Sequence, residues 1–372
     1  MKRWQTRPLF ELCSPKQWPT ISTAELTHTG FPVYGANGFI GYFNSYNHED
    51  PTILVTCRGA TCGTLNISPP RAYVTGNAMA LDNPRLDFIY FRFLFYALLN
   101  RGLGDAITGA AQPQITRANL TRVSIPVPPL AEQERIIKLL DESDELRKLR
   151  TQADRRTADL IPAFFHEMFG DPALNPHKWP KTTLGQACQK LTDGTHFSPP
   201  PAETGVPYIT AKHLREQGLD FDRDPTYVSP EHHREIYARC DPKPGDVLYI
   251  KDGVTTGLAA VNRYEYEFSM LSSLALMRPD AAKCDSEFLC AWLNDKAVKV
   301  SMLEQMAGAA IRRLTLVKLK KAPILLPPLP LQKVFAKRVT EIRELEAEQT
   351  ASRERLDALF QSMLHRAFRG EL

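Results

Sequence analysis

Side chains that offer two donors or acceptors at once can read the edges of nucleic-acid bases: arginine pairs with guanine, and asparagine or glutamine with adenine. This chain sets such side chains in short loops. Tyr34 and Asn37 belong to a Gly-rich turn, Arg58 follows a strand-like run, and Asn77 sits in a second turn. Gln112 and Gln114 follow Gly109-Ala110-Ala111, with Arg117 just behind. In the second half the counterparts are Thr195 and His196, Lys212 and His213, Lys251, and Arg312 with Arg313. Residues of these types could contact nucleic acid, some at base edges and some at phosphates. Asn37 and Asn77 also suit turns on conformational grounds alone, and Gly109 and Gly308 could simply break a helix before a strand.

Catalytic constellations are missing. There is no GxxxxGK[ST] phosphate loop, no GxGxxG after a strand and no CxxC pair. His166-Glu167-Met168-Phe169 begins like a zinc-binding helix but lacks the second histidine. Asp82-Asn83-Pro84-Arg85 reads as a turn, and His232-His233 as exposed loop histidines. Asp246 and Lys251 lack the third acid of a nuclease site. The expectation is a chain with no catalytic residue, no metal site and no cofactor of its own.

Composition sets the frame. The chain has 372 residues, 43% of them hydrophobic and 24% charged, with a net charge of +4. That length predicts at least two domains. No apolar run reaches the ~18 residues of a membrane span, and the first residues lack an apolar signal segment, so a cytoplasmic chain is expected. Seven cysteines at irregular spacing argue against a disulfide framework. Arg312, Arg313, Lys318, Lys320 and Lys321 form a local basic cluster suited to phosphate.

The chain repeats itself over a long period. Gly109-Ala110-Ala111 returns as Gly308-Ala309-Ala310, Pro128-Pro129-Leu130 as Pro327-Pro328-Leu329, and Gln133 as Gln332, each 199 residues on. Gly59, Thr61 and Gly63 return as Gly253, Thr255 and Gly257 at a spacing of 194. Each copy opens with strand-like runs, such as residues 52–56 and 246–250, bounded by turn formers. A Pro-rich hinge follows, and then a long charged helix.

A 3,4 spacing picks out Ile136, Leu139, Ser143, Leu146, Arg150, Ala153, Thr157, Leu160 and Phe164, and the set 199 residues later from Phe335 to Met363. This is coiled-coil spacing with a weakly apolar seam, so each helix needs the other as partner. A two-fold relation between the repeats makes the pair antiparallel and sets Ile136 opposite Met363 and Arg150 opposite Gln349. Pro162, which has no counterpart at Gln361, should kink or end the first helix near residue 161.

With these residues in view, the chain resembles the specificity (S) subunit of type I restriction-modification enzymes. Residues 31–38 (FPVYGANG) resemble the "PVYGxNG" segment of one group of target recognition domains. Asp193-Gly194-Thr195-His196, followed by residues 205–209 (GVPYI), resembles the "DGTH" group. Residues 125–136 (IPVPPLAEQERI) resemble the entry to the family's central helix, and residues 167–172 (EMFGDP) its exit. The second entry departs from the pattern, because Pro330-Leu331-Gln332-Lys333 lacks the Glu before Gln.

The resemblance covers essentially the whole chain. It implies a mixed α/β fold with two target recognition domains in a pseudo-two-fold repeat, joined by a long antiparallel helical coiled-coil spacer. The expected domains are 1–126 and 171–325, with spacer helices at 127–170 and 326–372. It further implies that each domain reads one half of a split double-stranded DNA target. Two methyltransferase (M) subunits would dock, and restriction (R) subunits would join them. AdoMet, ATP and Mg would be bound by those partners, not by this chain.

From Ile136 to Phe164 is 29 residues, about 44 Å of helix or roughly 13 base pairs. Half-sites of a few base pairs would then flank a gap of about 5–8. The competing expectations are a non-catalytic scaffold that spaces protein partners, and an inactive specificity subunit.

Overall fold

The computed structural model describes residues 4–35, 38–109, 111–304 and 314–372. Asn37, Gly308, Arg312 and Arg313 lie outside the described residues. The chain divides into two compact units: Met1–Thr151 with Ala351–Leu372, and Gln152–Thr350.

In unit 1 a four-stranded antiparallel sheet has the order Ser14–Gln17, Ala78–Asp82, Ile53–Thr56, Leu65–Ile67. Its second and third strands are almost wholly buried, which is why they read as unbroken apolar runs rather than alternating ones. A three-stranded sheet runs Gly38–Phe43, Phe31–Gly35, Tyr73–Val74, the last pairing parallel. Gln5–Pro8 pairs with Ser124–Val127.

Unit 2 repeats the plan. Its four-stranded sheet is Cys188–Asp193, Leu274–Pro279, Val247–Ile250, Ala259–Val261. The three-stranded sheet is Tyr227–Val228, Val206–Ile209, Ser269–Met270, again with one parallel pair. Lys181–Thr183 pairs with Pro323–Leu325. Leu54 faces Ala80 in the first copy as Leu248 faces Leu276 in the second.

Each core joins one sheet to helices. In unit 1, Phe93 and Tyr96 of helix Phe91–Arg101 pack with Ile136 and Leu140 of helix Leu130–Ala158. Phe360, Leu364 and Ala367 of helix Leu329–Phe368 complete that core. In unit 2, Phe165 and Phe169 of helix Leu160–Phe169 meet Phe288, Trp292, Phe335 and Val339. The Phe169 and Phe288 ring centres are 4.9 Å apart, edge to face, a favoured aromatic geometry.

Both long helices are clamped at their entries by a buried glutamine. Gln133 accepts from the Tyr90 N–H (2.9 Å) and donates to the carbonyls of Phe88 (2.7 Å) and Pro128 (2.8 Å). Gln332 accepts from the Asp285 N–H (2.8 Å) and donates to Lys283 (3.0 Å) and Pro327 (2.8 Å). The helix-side carbonyl in each set lies in the proline hinge, so the clamp fixes the angle at which the chain enters the helix.

The helices pair antiparallel within each unit, as the repeat requires, but in a different register from the expected one. Gln349 donates to the Thr157 hydroxyl at 2.9 Å, seven residues beyond Arg150, and that hydroxyl donates on to the Ala153 carbonyl. In unit 1, Arg147 meets Asp357 at 2.6 Å and stacks over Phe360.

A third of the expected seam is buried: Ile136, Ser143 and Thr157 on the first helix, and Phe335, Ile342 and Gln349 on the second. The interleaved set moves by one residue. Leu140 rather than Leu139, and Val339 rather than Arg338, are buried, while Leu146, Leu345 and Leu359 are exposed. Leucines flank the stripe on both sides, so the pattern alone does not choose. The sheet-facing cores choose, by drawing Leu140 and Val339 inward.

The first helix breaks between Ala158 and Leu160. Pro162 then occupies the first turn of the next helix, where a missing N–H costs no intrahelical bond.

Candidate nucleic-acid interface

In unit 1 the strand Ile53–Thr56 delivers Cys57 and Arg58 to a corner held by backbone hydrogen bonds. The Cys57 N–H reaches Asn77 O (3.4 Å), and Cys57 O accepts from the Ile115 N–H (2.9 Å). Gly59 N–H donates to Pro113 O at 3.2 Å, and Arg58 bridges Gln114 across the turn. Gln114 and Thr108 exchange backbone bonds of 2.8 and 2.9 Å, closing a tight loop. That loop requires Gly109: its φ is +88°, and a Cβ there would meet Gln112 O at 2.5 Å.

The Asn77 N–H donates to Thr75 Oγ1 (3.4 Å), and the Thr75 N–H donates to Tyr34 O (2.9 Å). Tyr34, Asn77, Arg58 and Gln114 are thus strung together by consecutive contacts. Arg58, Asn77, Gln112 and Gln114 are exposed, while Tyr34 is half-buried against Phe39. Arg117 behaves differently: its Nε–H donates to Pro15 O (3.0 Å) and its guanidinium lies over Phe10. Asp82-Asn83 is the turn expected, with Asn83 at φ +49°, and Asp82 accepts from Trp18 Nε1 at 3.0 Å.

Unit 2 sorts its candidates more sharply. Thr195 is buried, its backbone bonded to Met270 O and Ser272 N and its hydroxyl to the Phe197 backbone. The turn around it needs Gly194, where a Cβ would sit 1.9 Å from Met270 O. His196 is exposed and reaches Asp193 at 3.3 Å. Lys212 pairs with Asp224 at 2.9 Å.

His213 is fully buried. Nδ1 accepts from the Thr210 N–H and Nε2–H donates to Asp224 O, both at 2.9 Å, which fixes the neutral tautomer. Burial lowers its pKa from the ordinary histidine value. His232 and His233 are helical, in Pro230–Arg239, rather than in a loop, and His233 is buried against Ser269. Thr195 and His213 therefore shape their turns, and their side chains are turned to the protein.

Lys251 is also buried, and its position differs from the one its charge suggested. Its N–H donates to Ser273 O (2.9 Å) and its carbonyl accepts from the Leu314 N–H (3.1 Å), the bonds that Cys57 makes to Asn77 and Ile115. The bonds Gly63 N–H to Thr56 O and Gly257 N–H to Ile250 O, both 2.9 Å, close the two corners identically. Lys251 therefore replaces Cys57, and Asp252 replaces Arg58.

The ammonium of Lys251 sits between Asp252 (2.9 Å) and buried Asp193 (3.5 Å), and Asp193 also takes Arg239 at 2.8 Å. By residue type Lys251 matches Arg58, because both are basic and follow a strand. The glycines at 59 and 253 carried the correct register. Among the described residues, no group of three His, Cys, Asp or Glu could hold a metal ion. No helix among them is long and apolar enough to cross a membrane.

Comparison with known proteins agrees with this architecture. The chain is 25% identical over 311 residues to a type I restriction enzyme specificity subunit of Haemophilus influenzae, covering 80% of this chain and 76% of that protein. It is 24% identical over 279 residues to the MjaX specificity subunit of Methanocaldococcus jannaschii, covering 70% and 62% respectively.

In fold it matches the crystal structure of a type I restriction-modification S subunit from M. genitalium, with a TM-score of 0.59 and 17% identity, over 98% and 96% of the two chains. It also matches a solved structure from work on complex assembly and conformational transition of the type I system. That match has a TM-score of 0.58 and 21% identity, over 100% and 99% of the chains. The model of the type I restriction modification DNA specificity domain matches residues 1–154 and again 176–355. Two matches on one chain, each carrying one copy of the same sheet and corner, place this protein in the type I restriction-modification specificity subunit family.

Proposed function

We propose that this chain reads a split DNA target for a type I restriction-modification complex, one half-site per unit, and that it is itself non-catalytic. One observation carries this reading. The two units present the same corner on the same sheet with different side chains, Cys57-Arg58 against Lys251-Asp252, as two readers of different half-sites would. Exposed Leu146, Leu149, Leu345 and Leu359 on the long helices supply apolar surface for two M subunits, to which R subunits add. AdoMet, ATP and Mg belong to those partners, and the complex works in the cytoplasm.

The test is single-molecule methylation mapping of DNA from cells carrying this chain and a cognate methyltransferase subunit, with this chain omitted in the control. A split adenine-methylated motif with a gap of about 5–8 base pairs, lost in the control, supports the reading. Assembled subunits that methylate no motif overturn it.

A further inference from the structure

We infer that Arg239, held in place by buried Asp193, is a contact to a DNA phosphate beside the unit 2 corner. This rests on the DNA-reading role proposed above and gives unit 2 a charged contact at a sheet position where unit 1 carries a neutral side chain.

Asp193 ends the strand Cys188–Asp193. Its place in the sheet is that of Gln17: Asp193 faces Ala275, which faces Tyr249, as Gln17 faces Met79, which faces Val55. Gln17 anchors its turn with a neutral amide, donating to Gly76 O at 3.2 Å. Asp193 gathers cations instead. Its Oδ2 takes the Lys251 ammonium at 3.5 Å, and its Oδ1 accepts from Arg239 Nη2–H at 2.8 Å and from His196 Nε2–H at 3.3 Å. The side chains of Arg239 and His196 are 52% and 57% exposed, against 2% for Asp193.

That layering decides what the group can bind. The carboxylate lies beneath and the guanidinium outside, so an approaching anion meets the cation first. Lys251 cannot take this part, because it is buried and shared between Asp193 and Asp252. Arg239 ends the helix Pro230–Arg239, and among the described residues its guanidinium makes one hydrogen bond, the one to Asp193. Four of its five N–H donors are left for phosphate oxygens. Tying Nη2 down beforehand also reduces the side-chain freedom that binding would otherwise remove. Unit 1 shows the exposed cation Arg58 at its corner, whereas unit 2 has Asp252 there. The neighbouring helix supplies through Arg239 the positive charge that this corner lacks.

The experiment measures binding of the assembled methyltransferase to its own target and to unrelated duplex DNA, from about 50 to 200 mM salt, with R239Q, D193N and R263Q. Losing one phosphate contact lowers the slope of log K against log salt by about 0.9, so a fourfold rise in salt should weaken R239Q about 3.5-fold less than the parent complex. At low salt R239Q should lose affinity for both DNAs alike, with the methylated motif unchanged. D193N keeps Arg239 but releases it, and should shift the slope in the same direction. R263Q is the charge control. Arg263 is 54% exposed and bound to Glu287, and it lies beyond Val261, at the opposite end of the strand pair from Lys251, so its slope should stay that of the parent. If D193N does not fold, R239Q decides. An R239Q slope equal to that of the parent or of R263Q, or a preference relaxed at one base only, overturns the inference. A folded D193N with the parent's slope overturns the part given to Asp193. A parent complex whose binding is indifferent to salt overturns the DNA-reading role instead.

Discussion

Gln133 and Gln332, 199 positions apart, make the same three hydrogen bonds: one accepted from a backbone N–H and two donated to backbone carbonyls. Each ties a helix entry to its own hinge and to a segment of its own unit. Replacing Gln133 with Leu keeps the volume and strands three backbone groups, the Pro128 carbonyl buried and the other two partly buried, each worth up to about 1–3 kcal/mol. The expected cost is about 3 kcal/mol or more, read by denaturant unfolding. Q332L should cost a similar amount, and because the two clamps share no partner the double variant should lose close to both.

Arg117 separates structure from recognition. Its guanidinium is committed to Pro15 O and the Phe10 ring. R117A should therefore lower the melting temperature while leaving base discrimination intact. A relaxed motif with unchanged stability would place Arg117 among the DNA contacts after all.

The helix seam carries one buried polar pair in unit 2, Gln349 with Thr157. T157V alone leaves the Gln349 amide short of an acceptor, and Q349L alone removes the donor. Each should cost about 1–2 kcal/mol. The double variant should cost less than the sum, which a double-mutant cycle by chemical unfolding measures directly. Additive losses would mean that the pair is not coupled.

His213 links stability to pH. Burial holds its folded pKa below the ordinary value, while the unfolded chain titrates near 6.5. Below that pH the unfolded state binds the extra proton and the folded state does not. This group therefore favours folding fully above about pH 6.5 and progressively less as pH falls toward its folded pKa. Unfolding free energies at pH 7.5 and 5.5 should differ less in H213N than in the parent chain.

Much of the fold is legible in the residues. The runs at 53–56 and 247–250 are strands because they are apolar and β-branched or aromatic between turn formers, and both prove wholly buried. The matched glutamines mark the helix entries. The legible part ends where chemical type and backbone register disagree. Lys251 looks like Arg58 by charge, but the bonds its N–H donates to Ser273 O and its carbonyl accepts from Leu314 N–H set it in the place of Cys57. Thr195 looks like a displayed hydroxyl, yet Gly194 lets the turn press so close to Met270 that Thr195 is covered. Leu139 and Leu140 are equally apolar, and only packing against the core distinguishes them.

Unit 1 is not one continuous stretch of chain. Its core includes Phe360, Leu364 and Ala367 beside Phe93 and Ile136, whereas unit 2 is drawn from Gln152–Thr350 alone. During synthesis, then, the second unit has all of its residues first. The N-terminal unit must wait, its hydrophobic surface uncovered, until residues past 360 have left the ribosome, reversing the usual order in which domains mature.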